Sequence, residues 1–288
     1  EVFRRETGNL DLIVNMYNSM MTSLLPVEAP LVQSHLDKID KTIQRGIGQM
    51  NWNSHGIDLF ITESMTAVKT ANNVLQTLKS NLSSIEQILR HWREDPSTQQ
   101  AKFLLLRQNK PVSRDEFEAA RKSHTKVRYS EIQDGGKQIA GLVKDSNKVL
   151  KVSQGLPHWK AYVDFINNIV VDGLAQLIHE SLLHLSDQID LVVIKEQDKS
   201  PMLEISLDLY ASNVLFRPDV LEASGGDGVR DTVNTWIKDI FQVAGLFKRL
   251  DVPEGSYIKE MQENMEVAGQ LAAINDSLSV NEDECSNF

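Results

Sequence analysis

The 288 residues include 40 acidic and 30 basic side chains, a net charge of −10, with the acids spread along the chain rather than gathered in a tail. Nucleic-acid and anionic-membrane binding both begin with a basic footprint, so this balance disfavours either as a general role. Apolar residues make up 41% and aromatics only 6%, enough for one large or two modest cores, packed by helical Leu, Ile, Val and Ala rather than by a sheet sandwich.

Leu10, Ile13, Tyr17, Met20 and Leu24 mark a first helix, closed by Pro26. A second opens near Pro30, a residue suited to the first turn because its missing N–H would have no helical partner. Its stripe is Leu31, Leu36, Ile39, Ile43 and Ile47. The corner GIGQMNWNSHG follows, where Trp52 is expected to plug the junction between two antiparallel helices. Ile57, Ile61, Ser64, Val68, Ala71, Leu75, Leu78, Leu82, Ile85, Leu89 and Trp92 then alternate spacings of four and three. This is a heptad stripe, the period at which one helix face keeps meeting a neighbouring helix. His55 to Trp92 holds no proline and one glycine, so a single helix of about 57 Å is expected.

Pro96 to Pro111 reads as a loop or hinge with a short apolar run at Phe103–Leu106. Ser113 with Glu116 has the spacing of a capping box, in which each side chain satisfies a backbone N–H of the opening turn. The helix it starts carries a basic run, Arg121, Lys122, Lys126 and Arg128, readable as a solvated face or as a dock for an acidic partner such as the acidic surface of tubulin. Gly135-Gly136 is expected to kink or interrupt this helix. Pro157 opens another, whose apolar positions from Tyr162 to Ile189 cover more than one face, so it should be buried between neighbours.

Met202 to Leu209 alternates apolar and polar residues, the period of a half-buried strand, and Val214-Leu215-Phe216 before Pro218 completes a small hairpin. Its apolar face should pack on the helices, because a lone two-stranded hairpin is marginal in water. Asp227 is a candidate N-cap for a helix with Val229, Val233, Trp236, Ile240, Ala244, Phe247 and Leu250 on one face. Pro253 breaks it, and a last helix runs through Tyr257, Met261, Met265, Ala268, Leu271 and Leu278. The expected fold class is all-α: an elongated stack of antiparallel helical bundles with one small β-hairpin at about 202–217. The expected division is a first bundle over 1–95, a loop or hinge over 96–111, and a second bundle over 112–199. The hairpin follows over 200–218, then a C-terminal bundle over 219–280 and an acidic linker end over 281–288.

The chemistry-bearing patterns are incomplete. His179 and His184 stand five residues apart, so the second lies roughly 140° round the helix from the first, whereas helical zinc ligands need spacing four. Gly135-Gly136-Lys137-Gln138 lacks both the earlier glycine of a phosphate loop, replaced by Glu131, and the hydroxyl residue after its lysine. Gly46-Ile47-Gly48 follows a helix rather than a strand, against a dinucleotide site. Asp37 and Asp40 lie on an ordinary helix face, with solvation the default. The single cysteine, Cys285, forbids an intrachain disulfide, points to a reducing compartment and sits among acids that disfavour its thiolate. No apolar run approaches the ~20 residues needed to cross a bilayer. Residue 1 is Glu, a helical pattern is soon under way, and no signal peptide opens the chain, so the sequence reads as an excerpt of a longer polypeptide. No catalytic residue, cofactor site or metal site is expected, and no nucleic acid, membrane or small-molecule substrate as partner.

Leu25-Pro26-Val27-Glu28-Ala29-Pro30-Leu31, Leu36-Asp37-Lys38-Ile39-Asp40, Arg45-Gly46 and Asn51-Trp52-Asn53-Ser54 together resemble the tail of a dynein heavy chain. In that family an acidic, Leu-rich helix leads through an Arg-Gly turn to a Thr-Trp-x-Ser corner; Asn51 stands here in place of the Thr. Later segments match in order: Trp159-Lys160-Ala161-Tyr162-Val163, Val170-Val171-Asp172-Gly173-Leu174, Glu180-Ser181-Leu182, Pro201-Met202-Leu203-Glu204-Ile205 and Val214-Leu215-Phe216-Arg217-Pro218. Each is weak alone, and their order over nearly the whole chain carries the resemblance, closer to axonemal than to cytoplasmic heavy chains. It implies a non-catalytic tail segment lying before the linker and the ATP-hydrolysing ring, with Arg45, Gly46, Trp52, Ser54, Trp159, Tyr162, Gly173, Phe216 and Pro218 as a structural signature. It further implies assembly with other heavy chains, intermediate and light chains and docking proteins on doublet microtubules, force transmission, and a cytoskeletal location in a cilium or flagellum. A helical adaptor unrelated to motors is the alternative. A linker and phosphate-loop modules in the following few hundred residues would decide between them.

Overall fold

The computed structural model describes residues 2–47, 50, 55–107, 112–190, 193–194, 203–211, 213–220, 228–250, 252 and 255–287. The helices are α1 (Val2–Ser23), α2 (Ala29–Gly46), α3 (Ile57–Arg93), α4 (Arg114–Leu150) and α5 (Pro157–Ile189). After the antiparallel strands β1 (Ser206–Tyr210) and β2 (Asn213–Arg217) come α6 (Val229–Gln242), α7 (Ile258–Glu263) and α8 (Met265–Ser286). The fold is all-α with one small hairpin, the class that the periodicities lead one to expect.

Two compact units divide the chain. One comprises residues 1–87 with 139–167, the other 88–138 with 168–288, so α3, α4 and α5 each contribute to both. In the first unit the core draws Ile13 and Met20 from α1, Leu31, Leu36 and Ile39 from α2, and Val68, Leu75, Leu78 and Ile85 from α3. Ile139 and Val143 of α4 and Trp159, Tyr162 and Ile166 of α5 complete it. In the second unit Leu89 and Trp92 of α3, Ile132 of α4 and Leu174, Ile178 and Leu182 of α5 are buried, with Trp236 and Ile240 of α6 and Val267, Ile274 and Leu278 of α8. Every stripe position of α3 from Ile61 to Trp92 is buried, Ser64 included.

Local signals explain several boundaries. Pro30 sits in the first turn of α2. Ser113 and Glu116 close the capping box at the start of α4: the Ser113 N–H donates to the Glu116 carboxylate (3.1 Å), and the Glu116 N–H donates to the Ser113 hydroxyl (3.3 Å).

Five expectations need correction. Helix α4 runs without interruption through Gly135-Gly136, because those glycines are sites of close approach rather than breaks. A Cβ at Gly135 would lie 2.6 Å from the Trp92 indole nitrogen, and one at Gly136 would run into the Phe247 ring. The Val229–Leu250 stripe is not one helix: α6 ends at Gln242 and a 3-10 turn, Val243–Gly245, follows. Its N-cap is Gly228; Asp227 and Pro253 lie outside the described residues. The last helix is two, divided at Asn264, whose side-chain oxygen accepts from the N–H groups of Glu266 and Val267 (both 3.1 Å) and so starts α8 afresh. Residues expected to form the acidic linker are helical to Ser286. The hairpin's apolar face, expected to be covered, is largely in solvent.

Candidate functional site: junctions at the signature residues

In the first unit, Arg45 ends α2 and reaches Glu63 of α3 (2.8 Å, both exposed). Beside it, Gly46 lies against Phe60, and a Cβ there would overlap the ring, so the glycine lets the end of α2 close on the start of α3. Trp52 and Ser54 lie outside the described residues. At the opposite end of α2 Glu28 is fully buried; its carboxylate accepts from the Leu25 N–H (2.9 Å) and from Lys79 of α3 (2.7 Å), fixing the turn between α1 and α2. Trp159 and Tyr162, one turn apart on α5, are both buried with ring centroids 5.6 Å apart. Burial pushes the Tyr162 phenol up, opposed by its hydrogen bond with Ser146. Ser146 in turn accepts from Asn81 (2.9 Å). Tyr162, Ser146 and Asn81 thus form one chain of hydrogen bonds between α3, α4 and α5.

In the second unit, Gly173 of α5 faces Leu89 of α3, whose side chain would stand 3.1 Å from an added Cβ. Trp92 packs on Phe247 (5.6 Å), and Phe247 on Tyr257 (5.3 Å), whose hydroxyl burial pushes up to about 12. The basic run of α4 separates into two kinds. Arg121 is buried and bonded to Glu118 (2.8 Å) and to Asp239 of α6; burial opposes its charge, but these partners outweigh it and its pKa is raised. Arg128 is buried too, paired with Glu131 and donating to the Trp92 carbonyl; burial dominates there and lowers its pKa. Two of the four cations read as one surface run are therefore internal braces, a role invisible without the partners on α3 and α6.

Residues 94–107 are strapped down. Lys102 pairs with Glu131, the Leu104 N–H donates to Ser181 (3.0 Å), and Phe103 stacks on His184 at 4.3 Å. His184 therefore packs against an aromatic ring. His124 meets the Phe103 carbonyl (3.2 Å), and burial lowers its pKa. Phe216 lies half-buried on β2, and Pro218 follows it through a cis peptide bond with Arg217. Burial and Glu284 push the Cys285 thiol up, which keeps it protonated. Among the described residues, no group of three or more His, Cys, Asp or Glu could hold a metal, and no helix is long and apolar enough to cross a membrane. What the arrangement does is lock helices together.

Long helices joined by glycine contacts and buried ion pairs define a helical scaffold segment. The family model for the dynein heavy chain N-terminal region 1 matches residues 1–60. A flagellar outer-arm dynein beta chain from Chlamydomonas reinhardtii is 36% identical over 288 residues, all of this chain and 6% of that protein. A ciliary dynein beta chain from Heliocidaris crassispina is 28% identical over 278 residues, and human dynein axonemal heavy chain 17 is 27% identical over 267, in each case 6% of the relative's length. Over its whole length the chain is similar to the N-terminal tail region of dynein heavy chains, a region that lies before their ATP-hydrolysing sites.

Proposed function

We propose that this chain is a structural segment of an axonemal heavy-chain tail, holding a ciliary or flagellar motor complex together and transmitting its force. The observation that carries the reading is the match of all 288 residues to a flagellar outer-arm beta chain at 36% identity. The buried helical packing suits the role, since helices joined along their length by tight contacts resist bending with few voids to collapse. Its partners are other heavy chains, intermediate and light chains, and docking proteins on doublet microtubules; its location is the axoneme. The signature residues act structurally: Arg45, Gly46 and Gly173 set helix approach, and Trp159 and Tyr162 fill the core. Phe216 and Pro218 shape the hairpin and its exit. The division along the sequence into 1–95, 112–199 and 219–280 is proposed with it.

The test replaces this segment, within the full heavy chain of a ciliated cell, by an unrelated helical bundle of equal length. The expected result is a motor that still hydrolyses ATP but no longer assembles into axonemal arms. Normal arms and normal beating would overturn the proposal.

A further inference from the structure

Among the described residues, the hairpin offers an open sheet edge and an apolar face on the same residues. Its register pairs Leu207 with Phe216 and Leu209 with Val214. Cross-strand partners share a face, so these four side chains form one apolar surface. Leu209 is 82% exposed and Leu207 53%. Tyr210 pairs with Asn213 across a two-residue loop, which makes that pair hydrogen-bonded and sets the alternation that follows. At 207 and 209, and at 214 and 216, the backbone N–H and C=O groups therefore point away from the partner strand.

The two edges are not equivalent. On β2 the next outward position is Pro218, which has no N–H to offer. Along β1, Ser206 to Tyr210, there is no proline and no lysine, and the one-to-one register leaves no bulge. Those are the devices by which sheets discourage pairing at an edge.

We infer that the β1 edge is a strand-addition site for an extended segment of a partner polypeptide, apolar at every second residue and flanked by basic side chains. The alternation follows from the Leu207–Leu209 face. The basic flanks follow from Glu204 and Asp208, set against one cation, Arg217, already paired with Asp208 (2.8 Å), on a chain of net charge −10. A second copy fits less well. Antiparallel pairing of β1 with itself about its midpoint sets Asp208 directly opposite Asp208, a destabilising arrangement. A face of four side chains is also well short of the roughly 800 Å² per partner that a stable dimer buries. Strand addition draws its affinity from main-chain bonds and needs less area. The inference rests on the hairpin alone and is independent of the proposed role in axonemes.

The probe is a fluorescent peptide, Lys-Val-Thr-Val-Thr-Val-Lys, titrated against the 288-residue chain by anisotropy, with amide hydrogen exchange recorded at saturation. The expected result is binding that slows exchange at Leu207 and Leu209 by about tenfold or more, with no binding of the same peptide N-methylated at every backbone nitrogen. The double variant Leu207→Thr with Leu209→Thr keeps strand propensity at two exposed positions and should weaken binding severalfold. Equal binding of the N-methylated peptide would overturn the inference, as would no binding up to about 1 mM or unchanged exchange at the two amides. So would dimerisation of the chain through the hairpin in sedimentation, or hairpin-dependent binding to anionic vesicles.

Discussion

Helix α3 buries its apolar stripe from Ile61 to Trp92, whereas the hairpin leaves Leu207, Leu209 and Val214 in solvent. The contrast follows from how each element satisfies its backbone. A helix bonds its own N–H and C=O groups, so only its side chains need neighbours, and α2, α4, α5 and Phe247 supply them within the two units. A two-stranded hairpin needs neighbours twice, over its face and along its edges. Among the described residues β1 has β2 along one edge, while its other edge and its apolar face are left open. The α3 stripe is covered from within the chain, and the hairpin face is not.

Trp92→Ala tests that contrast hardest. The side chain is fully buried against Gly135 and Phe247, so its loss should cost about 3–5 kcal/mol by urea unfolding. A cost under about 1 kcal/mol would mean that the stripe is not the support claimed for it. Gly135→Ala comes next. Its Cβ would press on the Trp92 indole and should cost about 1–3 kcal/mol, while Gly141→Ala on the same helix, with nothing within 4 Å, should stabilise by up to about 1 kcal/mol. Equal effects at the two glycines would remove the close-approach explanation for the uninterrupted α4. Ser113→Ala, which opens the capping box of the same helix, should cost about 1 kcal/mol, read as a shift in the unfolding midpoint without a change of slope.

How much of this was legible depended on where the deciding partner lay. The α3 boundaries were readable to within two residues, because a stripe from Ile57 to Trp92 declares its own period. The Ser113–Glu116 cap was readable because both partners sit in four residues. Gly135-Gly136 was misread: a local propensity of about 1 kcal/mol per glycine is outweighed by Trp92 and Phe247, 43 and 111 positions away from Gly135 and Gly136 respectively. Arg121 and Arg128 were read as a surface run for the same reason, since Asp239 and the Trp92 carbonyl are distant in sequence. Asn264 was missed although asparagine is among the favoured N-caps; the continuing stripe around it hid the break. Of the signature, close helix approach at the mid-helix Gly173 is readable from the sequence, but its partner Leu89, and the Phe60 ring against Gly46, emerge only with the structure.

The smallest expected effect is the most diagnostic. Leu207→Thr with Leu209→Thr removes two large apolar side chains from an alternating stripe, and judged by pattern alone it resembles a core deletion worth several kcal/mol. Both side chains are more than half exposed, so the double variant should unfold within about 0.5 kcal/mol of the parent chain. Threonine retains strand propensity, so the β1–β2 ladder should survive, and unchanged amide shifts at Asp208 and Leu215 would report it. A loss of 2 kcal/mol or more would mean that the face is covered within this chain, and the distinction between the self-contained helices and the outward-facing hairpin would fall. A neutral result would leave a leucine pair that the isolated fold does not need, which is the condition expected of a surface kept for a partner.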